Sequence, residues 1–315
     1  MGSFFHAVHV FANDLAAVRW EFLAFALALS LAKLVLRSVA WRAILSAAYP
    51  DERPKLRSAF GAYVAGVGVN SIAPARAGDL IKLYLIKHRI PEASYSTLTP
   101  TLVVETLFDF VVGIALFVWA LSLGVLPTKE AYSHLPAVDW GFFVRNEKWT
   151  AIGLAFALAA AVIAFIVFLE KGEAFRARVG RGFAILRSPR RFFVRVALPQ
   201  AFSWVFRIAA LYYFLRAFGV HASVHNALLV QVVDSLATLF PATPGGAGTK
   251  QGLIVVLFAG EAVSKTALLA FSVGMNIAIV VFNVVLGAVA LFVMARTLSW
   301  KRLRGEQAED VEDDA

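Results

Sequence analysis

The chain has 315 residues, 60% of them hydrophobic and only 16% charged, with a formal net charge of +9. A soluble protein of this size would be nearer half apolar and a quarter charged, so the composition points to an all-α polytopic membrane protein. With no cysteine there are no disulfides, thiolate metal sites or Cys nucleophiles. The six histidines lack metal-ligand spacing and no Walker or dinucleotide fingerprint occurs, so neither metal nor cofactor is expected. The basic residues cluster beside hydrophobic spans, a positive-inside pattern and not a nucleic-acid footprint.

In chain order, residues 1–19 are mildly amphipathic (Phe4, Phe5, Val8, Phe11, Leu15) and too short and polar to span, so they are expected at the interface. No signal peptide is recognisable. A first span is expected over 20–45, with Lys33 and Arg37 expected to snorkel to the cytoplasmic surface. A basic loop follows, with Arg42, Arg53, Lys55 and Arg57. The stretch 59–73 is apolar but too short to span, since crossing takes about 20 residues. It breaks at Pro74-Ala-Arg76-Ala-Gly78-Asp79 and resumes over 80–90 with Lys82 and Lys87. The next span, 99–125, carries Glu105 and Asp109. Residues 126–149 balance their charges and hold interfacial aromatics, as an outer-face loop would. A linking span over 150–169 leads to the most basic loop, 171–195, where eight Lys or Arg face one Glu. Span 196–218 contains Arg207. An apolar run with Asp234 in its first arm is then broken by Pro244-Gly245-Gly246-Ala-Gly248-Thr-Lys250. A final span over 266–295 ends in a tail, 296–315, basic then acidic, whose acidic part is expected to be disordered.

Proline and glycine cannot continue a helix at the two breaks. Irregular backbone at membrane depth is tolerated only where it is buried or lines a wet cavity, so two re-entrant helical hairpins are expected. With both basic loops inside, the first hairpin dips from the cytoplasm and the second from outside, and the C-terminus is cytoplasmic. The halves, 20–125 and 196–295, then run in opposite directions. Pro74-x-x-Ala77-Gly78 matches Pro244-x-x-Ala247-Gly248, and Asp109-Phe-Val-Val-Gly113 matches Asn283-Val-Val-Leu-Gly287, in the same order. An inverted repeat with discontinuous helices implies alternating access.

These residues resemble a flippase-like integral-membrane family related to the transmembrane region of lysylphosphatidylglycerol synthase. The resemblance rests on Trp41-Arg42, on Pro74-x-Arg76-x-Gly78-Asp79 with Lys82, and on Glu105 and Asp109 in a Glu-Arg-x-x-Asp pattern. It includes Arg216-Ala-Phe-Gly219 and, above all, Pro241-x-Thr-Pro-Gly-Gly-x-Gly248. It implies movement of a lipid or lipid-linked group across the bilayer. Thr106 replaces the family's Arg, Gln251 stands near a usual acidic position, and the family's usual first helix is not evident, so the start is expected to be trimmed or divergent. The soluble aminoacyl-transferase domain of some members has no counterpart in these residues, so aminoacyl-lipid synthesis is not implied.

Ionisable residues inside a membrane are costly and mark functional candidates. Arg76, Lys82, Arg207 and Lys250 are candidates for binding a lipid phosphate, with helix N-termini at Gly78 and Gly248 adding N–H donors. The bland alternatives are an Asp79–Lys82 pair at the surface and Lys250 at the outer interface. Glu105 and Asp109 share a helix face and either carry a coupling proton or pair with Arg76, Lys82 or Arg207. Asp234 requires a partner such as Arg207 or Lys250. Lipid translocation leads, with no enzymatic activity, membrane lipids as partners and a lipid-modifying or glycosyl-transferring enzyme as a further one. An ion-coupled small-anion carrier, a lipid-headgroup enzyme and a non-transporting pathway subunit remain open, as does oligomeric state. The expected location is the cytoplasmic membrane.

Overall fold

The computed structural model describes residues 18–73, 76–122, 172–239, 254 and 265–313. The described elements are helical: α1 (Trp20–Ala48), α2 (Leu56–Asn70), α3 (Ala77–Lys87), α4 (Tyr95–Ser122), α5 (Glu173–Gly182), α6 (Pro189–Ala217), α7 (Val224–Leu239) and α8 (Lys265–Asp313). A 3-10 turn, Ala184–Arg187, joins α5 to α6, and a π-turn at Phe193–Ala197 lies within α6. The expected segment 1–19 (all but its last two residues), the linking span 150–169 and the tip residues Pro74, Pro244, Gly245, Gly246, Gly248 and Lys250 lie outside the described residues.

Among the described residues, four helices are long and apolar enough to cross a membrane: Trp20–Ala48, Tyr95–Leu116, Pro189–Ala217 and Ala267–Arg296. Their outward faces are apolar stripes at helical spacing. On α8 these are Ile277, Val281, Val285, Val289 and Phe292; on α4 they include Val103, Leu107, Phe110, Ile114 and Val118. Such continuous exposed apolar surface suits lipid and would be a liability in water. Hydroxyls within α1 are satisfied locally, Ser30 and Ser38 donating to Ala26 O and Leu34 O.

The first broken segment is two short helices, α2 and α3, packed antiparallel. Glycine makes the approach feasible: a Cβ on Gly66 would stand 2.7 Å from Gly78 O. On its other face α2 meets α8, where a Cβ on Gly68 would come within 2.8 Å of Gly287 Cα. Small residues allow this backbone-to-backbone packing, as between membrane helices generally. Asn70 bridges the turn: its Oδ1 accepts from Gly78 N at 2.7 Å, and its Nδ2 donates to Asp79. Arg76, at φ 58°, is in the left-handed region that non-glycine residues seldom occupy.

Two apolar cores flank the interior. One gathers Trp41, Ile44, Leu45, Ile86 and Leu98; the other gathers Phe214, Leu215, Val230, Leu268 and Phe271. Ile185, from the basic loop 171–195, lies in the first core beside Ala48 and Tyr49. The two most basic loops therefore share one end of the bundle. At the other end Arg19 N donates to Ala217 O at 2.9 Å, which fixes α1 and α6 antiparallel. The acidic tail departs from its expected disorder: α8 continues helical to Asp313. Glu, Gln and Ala are strong helix formers, and a long preceding helix has already met the cost of nucleation.

Candidate functional site

Between the cores, α1, α2, α3, α4 and α6 each contribute polar side chains to one buried network. Lys82, on α3, donates to Glu105 Oε2 at 2.5 Å. Its ammonium also lies over the rings of Trp41 and Tyr63, 4.1 and 4.0 Å from their centroids. A cation with one carboxylate and two aromatic faces has replaced most of its water by attraction. One turn along α4, Asp109 receives both guanidinium nitrogens of Arg37, Nη1 at 3.1 Å and Nη2 more closely. Arg37 Nε donates to Tyr63 Oη at 2.8 Å, and Trp204 Nε1 donates to Asp109 Oδ1 at 2.9 Å. The two pairs touch, since Arg37 Nη2 is 3.9 Å from Glu105 Oε1. Gln200 Nε2 binds the Glu105 carbonyl at 2.9 Å, joining α6 to α4.

Beside this network is a cavity of about 150 Å³, lined by Arg37, Asn70, Arg76, Asp79, Glu105 and Asp109 among others. Arg76 stands at its edge, its side chain 70% exposed, with Nε 2.9 Å from Asp79 Oδ2.

The candidates thus separate. Lys82, Glu105 and Asp109 come together. Arg76 does not neutralise Glu105 or Asp109 but pairs with Asp79, and the alternative Asp79–Lys82 pair does not form; Lys82 turns inward to α4 instead. Gly78 offers no open N–H to an anion, because Asn70 already occupies it. Arg207 lies over Trp204, its guanidinium 5.1 Å from the ring centroid, with Asp234, Arg37 and Asp109 among its charged neighbours. Arg37 does not snorkel: it is roughly 17 Å from the end of α1, and a carboxylate is nearer than the interface. Sequence reading missed Arg37, Tyr63, Asn70, Gln200 and Trp204 as site residues. The i, i+4 spacing of Lys33 and Arg37 was the available signal for Arg37.

Apolar spans with their charges turned inward define a multi-pass integral membrane protein. The model of the family described as the lysylphosphatidylglycerol synthase TM region matches residues 4–287, and the chain belongs to that family. It is also similar to a UPF0104 membrane protein of Methanothermobacter thermautotrophicus, 23% identical over 290 residues that cover 85% of this chain and 82% of that protein. No solved structure matches the chain.

Proposed function

We propose that the chain moves a phospholipid or lipid-linked group between leaflets, in the manner of a flippase, without enzymatic activity. The supporting observation is the paired network Lys82–Glu105 and Arg37–Asp109 beside a cavity edged by Arg76. Charges this deep are costly, and pairing them ties the α2–α3 unit to spanning helices α1 and α4. In this reading α2–α3 is a re-entrant hairpin that shifts as one body. Its counterpart is the Pro-Gly-Gly segment, related to it by an inverted repeat. Arg76 meets the headgroup phosphate first, because its fork is exposed at the cavity edge and a single carboxylate, Asp79, competes for it.

The shared end of the two basic loops is the cytoplasmic one in the plasma membrane, which places the C-terminus inside. Membrane lipids are the partners, together with an enzyme that modifies the lipid or transfers a sugar to it. Leaflet exchange of a labelled phospholipid in reconstituted vesicles, read beside melting temperatures, tests this. Arg76→Lys should slow exchange and Arg76→Ala should slow it further, both melting like the parent protein. Full exchange by a stable Arg76→Ala protein removes Arg76 from the path, and absence of exchange by the parent protein removes translocation.

A further inference from the structure

Two interior cations take no part in the pairing just described. Lys33 lies one turn before Arg37 on the same face of α1, and Arg207 lies one turn beyond Trp204 on the same face of α6. With Arg19 bonded to Ala217, the antiparallel helices carry these residues to comparable depth, roughly 20 and 15 Å from that end. Neither depth is within reach of an interface for a lysine or arginine stem when the apolar core is about 30 Å thick.

Both cations share charged neighbours: Arg37, Asp109 and, from α7, Asp234. Asp109 is already held by Arg37 and Trp204, and Asp234 has a partner of its own. Among the described residues neither Lys33 nor Arg207 makes an ion pair or a hydrogen bond; the Arg207 guanidinium lies over the Trp204 ring. Among the described residues, the two carboxylates that Lys33 and Arg207 share as neighbours, Asp109 and Asp234, are therefore both engaged elsewhere.

From this arrangement we infer that Lys33 and Arg207 form an anion site between α1, α6 and α7 that takes a phosphodiester. The Trp204 ring supports one face of the Arg207 guanidinium and leaves its edge to meet two oxygens, while Lys33 supplies a point charge. A phosphodiester supplies the negative charge and the two unesterified oxygens that these two cations call for. The same oxyanion chemistry belongs to a phospholipid headgroup and to free phosphate. That the anion is a lipid rests on the translocation reading, whereas the site itself is tested by binding alone.

The full chain in a non-ionic detergent is titrated with a short-chain phosphatidylglycerol or with inorganic phosphate, and its melting temperature is followed. A saturable rise is expected with the lipid. The Lys33→Met, Arg207→Gln double variant should melt at or above the parent temperature without ligand, and should lose the rise. Should the double variant fail to fold, Lys33→Met alone should bind roughly tenfold more weakly, since one charged contact is gone. Arg178→Gln, an exposed charge on α5, should retain the parent response. A rise with inorganic phosphate alone keeps the site and removes lipid as its source. A rise with the same midpoint in the double variant, or no response of the parent protein to either probe, overturns the site whatever leaflet exchange shows.

Discussion

The Lys82–Glu105–Arg37–Asp109 network and the Lys33–Arg207 pair stand about one helical turn apart, built from the same residue types at similar depth, yet they differ in pairing. In the first, every cation has a carboxylate and an aromatic or phenolic neighbour, so the group acts as a clamp between α1, α3 and α4. In the second, neither cation makes an ion pair among the described residues. Buried ion pairs contribute little net stability when intact but are strongly destabilising when half is removed. Matched charge therefore holds helices in place, and unmatched charge stores a cost that a ligand can relieve.

That contrast is sharpest in the sign of single substitutions. Glu105→Gln should have the largest effect, destabilising by roughly 3–5 kcal/mol because Lys82 keeps its charge without a carboxylate. Adding Lys82→Met should recover most of the loss in thermal unfolding. A Glu105→Gln protein that melts like the parent would show that the clamp is not structural. Asp109→Asn should cost less, roughly 1–3 kcal/mol, because Arg37 keeps Tyr63 Oη at 2.8 Å and Glu105 at 3.9 Å. Lys33→Met should do the opposite, stabilising the ligand-free protein by about 1 kcal/mol, since it removes an interior charge that no ion pair compensates. Destabilisation by Lys33→Met would erase the distinction between the two clusters. The smallest effect belongs to Arg76→Ala, within about 1 kcal/mol, because the Arg76 side chain is 70% exposed and water screens its pair with Asp79.

Much of the architecture was legible along the chain. Span-length apolar runs gave the helices later found at Trp20–Ala48, Tyr95–Leu116, Pro189–Ala217 and Ala267–Arg296. The apolar stretch too short to cross, ended by a proline and a glycine, gave the break between α2 and α3. The site was only half legible. Glu105 and Asp109 could be placed on one face, because i, i+4 spacing is a local property of a helix. Their partners could not be chosen, because Arg37, Arg76, Lys82 and Arg207 all met the requirement of opposite charge.

What the sequence by itself determined was the solvent of the fold and, on α4, the shared inward face of Glu105 and Asp109. Transfer of apolar side chains and the cost of interior charge act residue by residue, so both can be read without coordinates. The tertiary structure alone decided which cation met which carboxylate. Gly66 and Gly78 bring α3 close enough against α2 for Lys82 to turn toward α4, while the antiparallel docking of α1 on α6 brings Arg37 and Trp204 to the same carboxylate, Asp109. Pairing depends on distances between helices remote in sequence, and those are set by how closely backbones pack, which no local periodicity encodes.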